Sequence, residues 1–205
     1  MRKIQAFSDR LISRSDNLND QEKDYLQRMQ SAAGRMQNLI EDLLSYSRVT
    51  TRARPMVSCD TGAILQGVLQ DMETTISREQ ARMDVGELPD TFGDATQLRQ
   101  VLQNLLSNAI KFHAPDQPPD ITVRAEDVSE DQWTLRITDQ GIGFDERYAE
   151  KLFHPFQRLH HKAGFAGTGI GMAIVKKILD RHGAPVTVNS VPGKGTTFRI
   201  RFSRG

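Results

Sequence analysis

Asn104-Leu105-Leu106-Ser107-Asn108-Ala109-Ile110-Lys111-Phe112 sets two asparagines four residues apart and a lysine three further on. On a helix these three side chains share one face, because residues three and four apart are neighbours. Asparagine is a poor helix former, and here it interrupts a leucine-rich run. Two carboxamide oxygens and an ammonium on one stripe suit a magnesium ion bridging phosphates. The plain alternative is a solvated helix face with chance asparagines. Toward the N-terminus, Asp94 with Gln97 three residues later has the form of a capping box. The helix is therefore expected to open there and to run through Leu98, Val101, Leu102, Leu105, Leu106 and Ala109.

Outward from this helix the pattern alternates between helices and strands. Ile64, Leu65, Val68, Leu69, Met72 and Ile76 mark one helix, and Met172 to Leu179 another. Ile121-Thr122-Val123, Leu135-Arg136-Ile137, Val186-Thr187-Val188 and Thr197 to Phe202 alternate as strands in antiparallel-looking pairs. The expected fold is α+β, a two-layer α/β sandwich. Three glycine-bearing segments punctuate it. Asp139-Gln140-Gly141-Ile142-Gly143-Phe144 follows a strand; it puts a carboxylate at the strand end and lets a ligand approach the backbone, or it is a tight turn. Gly167-Thr168-Gly169-Ile170-Gly171-Met172 gives way to an apolar helix, whose first amides would suit a phosphate. It is not a Walker loop, since no GxxxxGK[ST] occurs, and the third glycine of a dinucleotide fingerprint would fall at Met172. Gly193-Lys194-Gly195-Thr196-Thr197-Phe198 reads as a turn into the last strand.

The first 50 residues read differently. Ile4, Phe7, Leu11 and Ile12 repeat at helical spacing before the polar break Ser15-Asp16-Asn17. A second run then places Tyr25, Met29, Ala32, Met36, Leu39, Leu43 and Tyr46 at alternating steps of four and three, with Leu26, Ala33 and Ile40 widening the stripe. Such a helix either packs on its own domain or joins a hairpin that self-associates into a bundle. A narrow hairpin cannot bury so wide an apolar face by itself. Residues 51–59 have no period, include Pro55 and read as a linker, so the expected organisation is a hairpin over 1–50 and a second domain over 60–205.

Composition narrows the function classes. With 27 Lys+Arg against 26 Asp+Glu, the net charge is +1, which argues against a basic nucleic-acid surface. Aromatics make up 6%, too few for a base-stacking platform. The single cysteine, Cys59, excludes an intrachain disulfide and a cysteine-built zinc site, and fits a reducing, cytoplasmic setting. No apolar run approaches the ~18 residues of a membrane span.

Taken in order, Asn104…Asn108-Ala-Ile-Lys-Phe, Asp139-x-Gly-x-Gly, Phe153-x-x-Phe156, Gly167-Thr-Gly-x-Gly and Gly195-Thr-Thr-Phe resemble the N, G1, F and G2 boxes of sensor histidine kinases. Their ATP-binding fold (the GHKL or Bergerat fold) is shared with gyrase and heat-shock chaperone ATPases. The resemblance covers residues 60 to 203. Tyr148 through Leu159 and the lysines Lys176 and Lys177 look closest to the light- and PAS-regulated subgroup.

The resemblance implies roles for these residues. Asn108 supplies a ligand for Mg2+, with Asn104 supporting it; Lys111 contacts phosphate and Phe112 adjoins the nucleotide. Asp139 accepts a hydrogen bond from the adenine amino group, and Gly141 and Gly143 let the base approach. Phe153 and Phe156 anchor an ATP lid formed by Gln157 to Ala166. Gly167, Thr168, Gly169, Ile170, Gly171 and Met172 form the hinge and the phosphate cradle. Thr196 or Thr197 holds a water beside adenine. The implied cofactors are ATP and Mg2+; the implied partners are a response-regulator receiver domain and a second copy of the hairpin, with the sensor domain upstream. The family's phosphoacceptor pattern is absent: Met1-Arg2-Lys3-Ile4 matches only its tail, and the histidines are His113, His154, His160, His161 and His182. The expectation is thus a protein-histidine kinase core with a truncated hairpin and no self-phosphorylation, the acceptor lying outside the chain, about eight residues before Met1. The rival is a nucleotide-binding regulatory pseudokinase acting through partners. A hydrolytic ATPase would want a glutamate base at Asn104, otherwise the one candidate for a catalytic role. His182, just before a glycine that ends a helix, is expected to cap it.

Overall fold

Asn19 begins the longest element. Its side-chain oxygen accepts from the Glu22 amide, and Glu22 accepts from the Asn19 amide in return, so two donors of the helix start are satisfied reciprocally. Helix α1 then runs Asp20–Thr51. The structure, a computed structural model, describes residues 19–157 and 167–204 together with Phe7 and Leu11. Phe7 and Leu11 are helical and exposed; Ile4, Ile12 and the expected break at Ser15-Asp16-Asn17 lie outside the described residues. Of the apolar stripe of α1, Leu39 and Tyr46 pack on the core, while Tyr25, Met29, Met36, Ile40 and Leu43 are 46–55% exposed. Val49 is buried.

The stretch read as a linker is partly ordered into the sheet system. Val57–Cys59 forms strand β1, antiparallel to β3 (Thr91–Gly93), and Cys59 is buried with its thiol against the Gly93 carbonyl at 3.3 Å. A strand of three residues is too short for alternation to reveal. Next come α2 (Thr61–Asp71), capped by Asp60, and α3 (Glu73–Arg78). The single helix expected from Ile64 to Ile76 breaks at Met72, whose φ of −97° and ψ of 1° leave the helical region. Strand β2 (Arg82–Val85), with charged residues in its alternation, gave no clear sequence signal.

Helix α4 (Ala95–Lys111) opens at Asp94, which accepts from the Thr96 and Gln97 amides. The capping box is incomplete. Gln97 donates to the Val49 carbonyl instead, and the Asp94 amide is satisfied by His182 Nε2 at 3.0 Å. Strands β4 (Asp120–Glu126) and β5 (Gln132–Asp139), helix α5 (Gly171–Arg181), and strands β6 (Val186–Val191) and β7 (Gly195–Ser203) complete the chain. His182 caps α5, its Nδ1 donating to the Ile178 carbonyl at 2.8 Å.

The five-stranded sheet has the order β2-β4-β5-β7-β6. The four strands read from the sequence pair antiparallel, as expected, and β2, which the sequence did not show, joins β4 in parallel. One face carries Ile121, Val123, Leu135, Ile137, Phe198 and Ile200, buried against Leu65 and Val68 of α2, Leu102 and Leu106 of α4, and Ile174 and Ile178 of α5. Each such side chain contributes about 1.5–3 kcal/mol by leaving water, and Leu106→Ala would cost about 2–5 kcal/mol. The opposite face is polar, with Glu126 paired to Arg136 and Arg199. Trp133, fully buried, donates to the Thr91 hydroxyl and so ties the sheet to the small β1–β3 ladder. Because side chains alternate with period two, the core face of β5 runs Leu135, Ile137 and then Asp139. The strand thus delivers a carboxylate to the rim of the helix layer.

Candidate functional site

A cavity of about 420 Å³ opens there, between α4, the start of α5, the ends of β5 and β7, and one side of α1. Asp139 stands at one end. It is buried, and its Oδ1 accepts from the Gly141 amide at 2.9 Å and the Thr196 amide at 3.2 Å. Burial lifts its carboxyl from 3.8 to about 6, against these two bonds, which favour the charged form. The surrounding backbone leaves no space. An added Cβ at Gly141 would lie 2.3 Å from the Phe112 carbonyl oxygen; at Gly143 (φ +55°) it would lie 2.1 Å from that of Val191. At Gly195 (φ +92°) it would lie 1.9 Å from that of Asp139. Only glycine fits sterically at all three, and Gly143 and Gly195 also take a left-handed φ.

Register chooses between the two threonines. Asp139 pairs directly with Thr196, which lines the cavity, whereas Thr197 pairs with Thr138 and bonds its hydroxyl. Ser190, buried, donates its hydroxyl to the Gly195 carbonyl and accepts from the Phe144 amide. Thr196, 2.9 Å from Ser190 Oγ, must then donate to it, since Ser190 has one proton to give. Thr196 Oγ1 is left with lone pairs for whatever enters the cavity. Asp139 and Thr196 together form an acceptor-rich corner, suited to an amino group and a water.

The far end is cationic and donor-rich. Asn104 and Asn108, one turn apart on α4, both line it with Lys111. Asn104 Nδ2 is buried without a partner, a donor for which an incoming acceptor would compensate. Lys111 lies over the Phe112 ring at 4.6 Å and beside Gly167, where an added Cβ would be 2.8 Å from its ammonium. Helix α5 has no side-chain cap, so its first amides have no side-chain partner. Among the described residues no cluster of His, Cys, Asp or Glu could hold a metal by itself. The donor set suits a hard cation whose remaining ligands are phosphate oxygens, with Asn108 and Asn104 supplying carboxamide oxygens.

Residues 93–205 match the model of the histidine kinase-, DNA gyrase B-, and HSP90-like ATPases, more than half of the chain. The chain belongs to this ATPase family. Residues 1–52 match the histidine kinase A phospho-acceptor domain, and the two modules in this order are those of a sensor histidine kinase. The phytochrome-like protein Cph1 of Synechocystis sp. is 37% identical over 191 residues, 93% of this chain and 25% of that protein. The phosphate regulon sensor protein PhoR of Pseudomonas aeruginosa is 32% identical over 209 residues, 98% of this chain and 46% of that protein. The chain thus spans a quarter to a half of these curated relatives. The structure of the mycobacterial sensor histidine kinase MprB superposes with a TM-score of 0.64 at 25% identity, over 73% of this chain and 97% of that one. Full-length ShkA in complex with AMPPNP shares the fold, with a TM-score of 0.70 at 20% identity over 100% of this chain and 46% of that one.

Within this ATPase fold most of the sequence-derived residues come together. Phe112, Gly143, Gly167, Thr168, Gly169, Gly171 and Met172 line the cavity with those above. Gly141 acts from behind, through its amide to Asp139. Ile170 is buried in the core, outside the lining. Phe153 packs on the core, but Phe156 departs from the anchoring role: its ring is 61% exposed, at φ +64°, and its amide, not its ring, holds the hinge by donating to the Gly169 carbonyl. Of the expected lid, Gln157 lines the cavity, and residues 158–166, with His160 and His161, lie outside the described residues.

Sequence reasoning missed Ser190, which bonds Thr196, the apolar wall at Leu152, and above all Asn38 and Asp42 of α1. Asp42 accepts a hydrogen bond from the Thr168 hydroxyl. Their spacing of four on the polar side of α1 was visible, but nothing local assigns that side a partner 126 residues away.

Proposed function

We propose that this chain is the catalytic core of a cytoplasmic sensor histidine kinase that holds Mg·ATP in the cavity and passes the γ-phosphate to a histidine, for relay to an aspartate of a response-regulator receiver domain. The observation that carries this reading is the buried Asp139–Thr196 corner facing, across one cavity, the Asn104/Asn108/Lys111 stripe and the uncapped start of α5. Adenine offers such a corner an exocyclic amino donor for Asp139 and, beside it, a ring acceptor for a water held at Thr196. The polyphosphate then runs toward α4 and α5, where Lys111 and the helix amides offset its charge, and where Asn108 and Asn104 would hold Mg2+. Bound there, the ion would spread the charge of the transferring phosphate.

Residues 1–112 contain no histidine, so transfer needs an acceptor from another segment or molecule. The exposed stripe Tyr25, Met29, Met36, Ile40 and Leu43 supports a homodimeric bundle around α1. No helix of the described residues is long and apolar enough to cross a membrane. The test is incubation with γ-labelled ATP and Mg2+, alone and with a histidine-bearing phospho-acceptor domain added in trans. Acid-labile label is expected only on the added domain. Label on this chain alone would sink the assignment of the acceptor, and no nucleotide binding at all would sink the reading.

A further inference from the structure

Helix α1 has two working faces. At 100° per residue, the exposed apolar stripe and the strip Asn38, Asp42, Ser45, Val49 lie roughly 150° apart around the axis. The second strip is fastened to the ATPase domain at four places. Val49 O accepts from Gln97 Nε2 at 2.7 Å, and Ser45 Oγ accepts from Gln100 Nε2 at 2.6 Å. The Tyr46 carbonyl accepts from Lys177 Nζ at 3.0 Å, with the same ammonium 4.2 Å over the Tyr46 ring. These three join helix to helix. The fourth differs: the Asp42 carboxylate takes the hydroxyl of Thr168, in the glycine-rich segment that leads into α5.

Asp42 thereby sets a carboxylate in the lining of the cavity beside Thr168, Asn104 and Lys111. With adenine at Asp139, that is the end left for the terminal phosphate. A carboxylate and a phosphate there compete for the same Lys111 ammonium and the same α5 amides, and they repel each other.

We propose that Asp42 is a specificity-determining residue, by which the docked α1 makes the cavity favour a nucleoside diphosphate over the triphosphate. The terminal phosphate enters by displacing Asp42 from Thr168, so triphosphate binding frees this part of α1 from the ATPase domain. This rests on the nucleotide reading above and adds to it a contact that couples the phosphate count to the position of α1. Tyr46, Ser45 and Val49 keep the helix nearby when Asp42 lets go.

The test is calorimetric titration of the chain with Mg·ATP and Mg·ADP at equal free Mg2+, for wild type, Asp42→Asn and Asp42→Ala. Asp42→Asn is isosteric and keeps an acceptor for Thr168; only the charge is lost. Both substitutions are expected to tighten ATP about tenfold while changing ADP less than about twofold, the scale of one close like-charge contact removed. Hydrogen exchange over residues 38–50 is expected to speed up with ATP, not ADP, in wild type, and to lose that difference in Asp42→Ala. An unchanged ATP-to-ADP ratio in both variants overturns the proposal. Weaker ATP binding also overturns it and makes Asp42 a ligand of the nucleotide's cation. Failure of wild type to bind even ADP overturns the nucleotide reading instead.

Discussion

At its base end the cavity is bounded by backbone against backbone. Around Asp139, an added Cβ at Gly141, Gly143 or Gly195 would meet a carbonyl oxygen at 2.3, 2.1 or 1.9 Å. At its phosphate end the neighbours are the tips of side chains: Lys111 Nζ 2.8 Å from such an atom at Gly167, and Asn104 Oδ1 3.3 Å from one at Gly171. The glycine segment is held there by reversible tethers, Thr168 to Asp42 and the Phe156 amide to Gly169. The difference teaches how one cavity divides its labour. On the proposed reading, the base would be held by a frame that cannot yield, while the phosphates would meet groups that can move as charge arrives and leaves.

The largest effect should come from breaking the rigid end. Gly143→Ala combines left-handed strain with overlap on the Val191 carbonyl, and is expected to cost about 2–6 kcal/mol in urea unfolding. Gly171→Ala, facing only a side chain, should change stability by less than about 1 kcal/mol. Equal costs would erase the contrast.

The next effect is protonic. The Asp139 carboxyl is raised from 3.8 to about 6, so the folded protein holds this proton more firmly than the unfolded chain does. Its contribution is fully present below about pH 4 and is lost as pH rises through 6, a decline of up to about 3 kcal/mol. Nucleotide binding has the opposite sign, because the acceptor must be ionised. ADP affinity is expected to fall about tenfold for each pH unit below 6. Asp139→Asn should abolish both dependences; if either persists in calorimetry or in unfolding, another group is responsible.

The smallest effect belongs to the adjustable end. Asn108→Ala is expected to weaken Mg·ATP by about 1.5–3 kcal/mol, the range for a bond to a charged group, and to leave adenosine binding unchanged. Equal Mg·ATP affinity in both proteins would remove Asn108 from the metal's ligands.

Much of this site was legible because its signals are short-range. The helical period put Asn104, Asn108 and Lys111 on one stripe, and strand alternation carried Leu135 and Ile137 on to Asp139. Four of the five strands of the main sheet and its two principal site helices could be read in the same way. Where several local rules competed, the reading failed: the helix break at Met72, the strand hidden at Val57–Cys59, and the Asp94 amide, which took His182 in place of Gln97.

The sequence by itself therefore determined the fold class, the family and which side chains stand at each end of the cavity, since these rest on neighbours within one turn or one strand. The tertiary structure decided what depends on distant pairing. Thr196 was preferred to Thr197 because its amide meets Asp139 across 57 residues of chain. Asp42 entered the cavity because α1 packs against α5, bringing it to Thr168 across 126. No local period encodes such meetings; they follow from which faces the folded core leaves in contact.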